Sequence, residues 1–257
     1  MRIAVINCED AEKWHDHVEI LSRAYKGDDK DEFVEYKAFQ NQIPTEQELQ
    51  DFDGVIVPGS RYSANDHLPW LKGVEDMIVN IVDNRRPQLF CNCFGHQLLS
   101  KALGGTVTKN VDNKFVFRSE EIQFIKSNMS DLPYGKDLID KKDTFLLLES
   151  HGDCVSKLPP NIETLKKIAI SKGSANECFV IGDYVLSIQA HPEFTGDLVN
   201  ERIFDSLCKR GLLNNEEEAN ECKQSVLNKK VNECNIVFRN VVRKFLTRDF
   251  ASSTSKI

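Results

Sequence analysis

Residues Gln88-Leu89-Phe90-Cys91-Asn92-Cys93-Phe94-Gly95-His96-Gln97-Leu98-Leu99 read as a buried strand, a sharp turn carrying a thiol, and the start of a helix. Pro87 precedes the apolar run, and Gly95 with the helix-forming residues from Gln97 to Leu103 marks the change of period. Outward from this stretch, strand-like runs at Ile3 to Asn7, Glu32 to Phe39, Gly54 to Val57 and Val185 to Ala190 alternate with helical patterns. The shortest of these runs are continuously apolar, as strands covered on both faces are. Leu68 to Asn84 places Leu71, Val74, Met77, Ile78, Ile81 and Val82 at helical spacing, which suits a crossover between parallel strands. The pattern predicts an α/β fold, with a mostly parallel central sheet and helices on both faces. Between Gly105 and Phe124 the period changes to two, with Thr106, Thr108, Asn113 and Arg118 interleaved among apolar residues, which predicts a small antiparallel flanking sheet.

From Asn214 to Arg248 the chain is charged and helix-prone. Val226, Val237, Val241 and Phe245 form an apolar seam beside Lys229, Lys230, Arg239, Arg243, Lys244 and Arg248. Glu216, Glu217, Glu218, Glu221 and Glu233 dilute the basic stripe, so these read as docked amphipathic C-terminal helices rather than a membrane or acidic-partner surface. Residues 1–250 form a single domain in this reading, and Ala251 to Ile257 a frayed tail.

A chain of 257 residues, 40% hydrophobic, is long enough for one large core. A formal charge of −7 offers no footprint for nucleic acid, and no apolar run approaches the roughly 20 residues needed to cross a bilayer. Met1 to Asn7 is too short in its apolar run for a signal peptide and reads as the first strand, so the expected location is cytoplasmic. The eight cysteines show no paired framework and read as reduced. Cys91 and Cys93 lack a second Cys/His pair at zinc-like spacing, so no metal is expected.

Cys93 sits where the helix dipole favours a thiolate, which makes it a candidate nucleophile. Val185 to Phe194 ends a strand in His191-Pro192-Glu193, supplying a base for Cys93 and a carboxylate to orient it. Gly54 to Ser60 is a buried strand ending in a turn, and the backbone amides of Gly59 and Ser60, with that of Phe94, suit an oxyanion. Gln97 lies one helical turn from Cys93 and faces the same side. His96 reads as a structural partner of the turn, and His15, His17 and His67 as solvated imidazoles. Cys91 and Cys154 lie near the site, where either could be oxidised together with Cys93.

Cys-x-Gly-His-Gln after a strand, with a later His-Pro-Glu, resembles the class I glutamine amidotransferase superfamily. The stretch from about Arg2 to Phe250 is similar to its stand-alone γ-glutamyl peptidase branch. Two positions depart from the family pattern: Cys91 stands where Gly is usual, and Gly59-Ser60-Arg61 where many members have Gly-Gly-Pro. A Cys at the tight elbow requires a side chain pointing away from it. The resemblance implies a flavodoxin-like or Rossmann-like three-layer sandwich and a Cys93-His191-Glu193 triad that hydrolyses γ-glutamyl amides without a cofactor. It also implies that Gln97 meets the glutamyl group and that Ser150 and His151, in Glu149-Ser150-His151-Gly152-Asp153 ahead of Leu158-Pro159, border the substrate.

The expected activity is therefore that of a γ-glutamyl hydrolase acting on small peptides such as glutathione or its conjugates, through a γ-glutamyl thioester. The alternatives are a glutaminase subunit delivering ammonia to a partner synthetase, and a catalytically silent binding module. The loops Arg61 to Asn65 and Asn110 to Lys114 are expected to meet the leaving group.

Overall fold

The computed structural model describes residues 1–139, 145–213 and 215–249; the expected tail, 251–257, lies outside the described residues. The strands are β1 (Arg2–Asn7), β2 (Glu32–Lys37), β3 (Gly54–Val57), β4 (Gln88–Asn92), β5 (Thr106–Lys109), β6 (Val116–Phe124), β7 (Phe145–His151), β8 (Asp153–Lys157), β9 (Leu165–Ile170), β10 (Cys178–Ile181) and β11 (Val185–Ile188). The helices are α1 (His17–Tyr25), α2 (Glu46–Leu49), α3 (Pro69–Asn84), α4 (Phe94–Ala102), α5 (Gly135–Ile139), α6 (Gly196–Val199), α7 (Asp205–Lys209), α8 (Glu216–Val226) and α9 (Lys229–Thr247). A π-helical turn, Asn200–Phe204, joins α6 to α7. Among the described residues no helix is long and apolar enough to cross a membrane.

Nine strands make one sheet in the order β2-β1-β3-β4-β11-β10-β9-β6-β7. The first five run parallel and the remainder pair antiparallel. Every residue of β3, β4 and β11 is buried, because helices cover both faces of this part of the sheet. Side chains alternate between the two covers. Ala4, Val55 and Cys91 pack with Val74 and Ile78 of α3 and Leu98 of α4, while Ile3, Ile56 and Phe90 pack with Tyr25 of α1 and Phe238, Val241 and Phe245 of α9. Burying these two apolar layers at roughly 25 cal/mol per Å² is the main force holding the helices on the sheet. Of the apolar seam read in the C-terminal segment, Val237, Val241 and Phe245 lie on the docked face of α9, and Val226 is buried at the end of α8.

The expected flanking sheet exists but is smaller than the period predicted: only β5, with β8, forms it. β6 instead extends the main sheet, pairing with β7 and β9, because Phe117 and Ile122 enter its cores. A period of two identifies an antiparallel strand but not its partner. β11 stops at Ile188, two residues before the expected end, because the Gln189 and Ala190 amides turn to the carbonyl and the carboxylate of Glu177.

Candidate active site

The carboxyl ends of β3, β4 and β11 lie side by side, and the loops leaving them converge, the usual place for a site in an open α/β sheet. Cys93 occupies the elbow from β4 into α4 with φ 49° and ψ −108°, in the left-handed half of the map that costs a side-chain-bearing residue on the order of 1–3 kcal/mol. The surroundings hold that strain in place. Cys93 N donates to Ile188 O at 2.9 Å and Gly95 N to Pro58 O at 3.2 Å. Gly95 is required here, since a Cβ on it would lie 1.9 Å from the Val57 carbonyl oxygen.

The segment after β11 brings His191 to the same place. His191 N donates to Leu148 O of β7 at 2.8 Å, and its Nδ1 lies 2.7 Å from Glu193 Oε1. That oxygen also accepts from Asn92 Nδ2 at 3.0 Å. α9 holds the turn from below: Arg239 donates to the carbonyls of Pro192, Glu193 and Phe194, and Asn235 to that of Phe194. A Cβ on Gly59 would fall 2.6 Å from His191 Cε1 and 3.6 Å from Cys93 Cβ, so the end of β3, the elbow and the imidazole meet at one point.

The electrostatics suit an ion pair. Burial pushes the His191 imidazolium down, but the Cys93 sulfur and the Glu193 carboxylate outweigh it and raise the histidine to about 10. Burial likewise opposes the charge on Glu193, yet His191 holds its carboxyl below the usual range.

Gly59, Ser60, Cys93, Gln97, Ser150, His151 and His191 all line one cavity of about 670 Å³. Glu193 sits behind His191, fully shielded, and Phe94 turns its ring into the core while its N–H opens the helix. The N–H groups of Ser60 and Phe94 have no partner among the described residues. Cys93 Sγ lies 3.8 Å from Ser150 O. Gln97 differs from expectation: its amide Nε2 donates to Asp153 O at 2.8 Å and Gln189 Oε1 at 3.2 Å, bracing the loop that borders the cavity. His151 is buried, with Nδ1 donating to Asp153 O at 2.9 Å, and burial brings it down to about 4.

Other expectations need correction. His96 bonds Ser187 Oγ on β11 at 2.7 Å rather than the turn, and burial takes it to about 3. His17 is not solvated: it is 3% exposed, packs beside the Trp14 and Phe194 rings, lines the cavity, and neither ring nitrogen has a partner. Cys91 points away from the elbow into the α3/α4 core, as a Cys at that position must, and burial pushes its thiol well up. Cys91 and Cys154 are both absent from the cavity wall, so neither is placed to react with Cys93 there. His15 and His67 are exposed as read.

Sequence reasoning missed Trp14 and His17, the segment carrying Ile203, Leu207, Arg210 and Leu212, and the clamp of Asn235 and Arg239. The clamp had a signal. Asn235 and Arg239 are polar residues four apart on the face of α9 that otherwise carries Phe238 and Val242 into the core.

A thiol elbow facing a buried histidine-carboxylate pair, on this strand order, defines a class of α/β proteins whose site lies at the carboxyl ends of the parallel strands. The chain belongs to one family of that class: the model described as "Glutamine amidotransferase class-I" matches residues 27–209. Among curated relatives it is similar to γ-glutamyl peptidase 3 of Arabidopsis thaliana, 26% identical over 191 residues that cover 74% of each chain. It is also similar to γ-glutamyl peptidase 4 of the same plant, 25% identical over 67% of this chain and 66% of that one. A glutamine amidotransferase structure from Thermotoga maritima superposes with a TM-score of 0.71, at 19% identity, over 98% of this chain and 99% of that one, which shows the shared fold.

Proposed function

We propose that this protein is a cysteine-dependent γ-glutamyl hydrolase that cleaves the γ-glutamyl amide bond of small peptides such as glutathione or its conjugates. The observation that carries the reading is the His191 imidazole, held 2.7 Å from Glu193 Oε1 and lining one cavity together with Cys93. With its proton passed to His191, Cys93 Sγ attacks the γ-carbonyl, forming a carbon–sulfur bond, and the oxyanion is received by the free Ser60 and Phe94 amides. His191 then gives its proton to the leaving amine as the carbon–nitrogen bond breaks, leaving a γ-glutamyl thioester. Water, deprotonated by His191, attacks that thioester and returns glutamate and the thiol. Glu193 holds the Nδ1 proton and steadies the imidazolium throughout. Gln97 meets the glutamyl group through its carbonyl oxygen, since its amide nitrogen is engaged.

The names of the two γ-glutamyl peptidase relatives point the same way, and the scheme needs no partner synthetase. The test is glutamate release by the isolated chain from γ-glutamyl dipeptides and from glutamine. Faster release from dipeptides is expected, with at least ~10²-fold loss in Cys93→Ala. A preference for glutamine, or activity surviving in Cys93→Ala, would refute the reading.

A further inference from the structure

The cavity extends well past Cys93, and its direction is informative. His191 must stand on the leaving-group side, because it protonates the departing amine. From His191 a row of rings runs outward: Phe194 stacks on His191 at 4.6 Å and 11°, and Trp14 stacks on Phe194 at 5.0 Å and 16°. Ile203, Leu207 and Leu212 supply apolar wall along this arm, and Lys13 and Arg210 also line it. Inside it His17, nine-tenths buried, leaves both ring nitrogens unpartnered.

We infer that this arm is a leaving-group subsite, and that it takes an apolar amino acid bearing a free α-carboxylate; the inference rests on the hydrolase reading and names its substrate class. The apolar side chain would lie along Trp14 and the aliphatic wall, where burial is favourable. The carboxylate would meet Lys13 and Arg210. The Arg210 guanidinium has no ion pair or hydrogen bond among the described residues, and Lys13 Nζ donates only to Arg202 O at 2.9 Å. Partial burial lowers the Lys13 ammonium first, Glu9 opposes that, and the Arg210 and Arg61 charges lower it further, so the two proposed ligands are electrostatic neighbours. Of the two acids on the same cavity, Glu9 is engaged by Ala11 N at 2.8 Å and by Arg61 N at 2.8 Å, and Asp153 by Lys109 Nζ at 2.7 Å and by Ser63 Oγ at 2.6 Å. An anion placed between Lys13 and Arg210 would relieve their repulsion and form charge-assisted hydrogen bonds.

The experiment compares γ-glutamyl-leucine with γ-glutamyl-leucinamide, which differ only in that carboxylate. In the unmodified chain kcat/KM should favour the acid by about tenfold, the scale of one charge-assisted hydrogen bond. In Lys13→Ala/Arg210→Ala the ratio should fall to about one. Binding of both compounds to Cys93→Ala, followed by tryptophan emission, reads the same preference without turnover. Equal treatment of acid and amide by the unmodified chain, or a ratio kept in the double variant, overturns the subsite. Discrimination in binding with no glutamate released from any γ-glutamyl compound would uphold the subsite and remove the hydrolase reading.

Discussion

Two glycines frame Cys93, and they should fail in different ways. An alanine at Gly95 meets the Val57 backbone carbonyl, which belongs to a fully buried strand and has nowhere to go. Gly95→Ala should therefore destabilise the fold by about 3 kcal/mol, read as a shift of the urea midpoint. An alanine at Gly59 meets the His191 ring, which can rotate away. Gly59→Ala should leave that midpoint close to its original value and lower kcat by ~10²-fold, the cost of misplacing a reacting group by about an ångström. A large stability loss with intact turnover at Gly59 would contradict the placement of the imidazole. At this scale Cys93, His191 and Glu193 were readable because their grammar is local: a thiol after an apolar run, and two polar groups two residues apart. His17 was not. Its burial depends on Trp14 and on Phe194 far along the chain, and nothing next to it in sequence announces that contact.

Among the elements, α9 does more than cover the sheet. Arg239 reaches from its apolar face to three carbonyls of the turn that carries His191 and Glu193. In Arg239→Met, which keeps the aliphatic stem, the Pro192 and Glu193 carbonyls would be left without their donor, while that of Phe194 keeps Asn235. The expected result is a loss of about 2 kcal/mol in stability together with a lower kcat at nearly constant KM, since the imidazole and not the substrate loses its support. A raised KM with kcat intact would place Arg239 on the substrate instead. The longer helices α3, α8 and α9, with α4, and the parallel strands were readable from period, because burial on both faces or one leaves a plain apolar pattern. The partners of β6 were not, and neither was the π-helical turn that brings Ile203 to the cavity. Its hydrogen bonds skip five residues instead of four while its composition resembles any amphipathic helix.

Across the whole molecule, buried ionisable groups set an optimum of pH. His17, His96 and His151 are lowered, by burial first, to about 4, 3 and 4, so the unfolded chain takes up protons that the folded one refuses once pH falls below 6.5. Stability from these three is lost as pH falls through that window. Glu177 is raised to about 8, by burial first, so its contribution declines as pH rises from 4.5 through 8; that of His191, raised to about 10, declines above 6.5. Above 6.5 both act in one direction, and thermal midpoints should fall between pH 6.5 and 8. Glu177→Gln, which cannot ionise, should lose less over that interval; an identical loss would show that Glu177 is not one of the groups responsible. The clamp also has a meaning in time. All three groups of the proposed chemistry are encoded by residue 193, yet the arginine that steadies two of them lies in a helix spanning Lys229–Thr247. A chain still emerging from the ribosome would thus carry its nucleophile before its histidine is held, and would gain competence only when α9 docks, a delay that the Arg239→Met kinetics would reveal in permanent form.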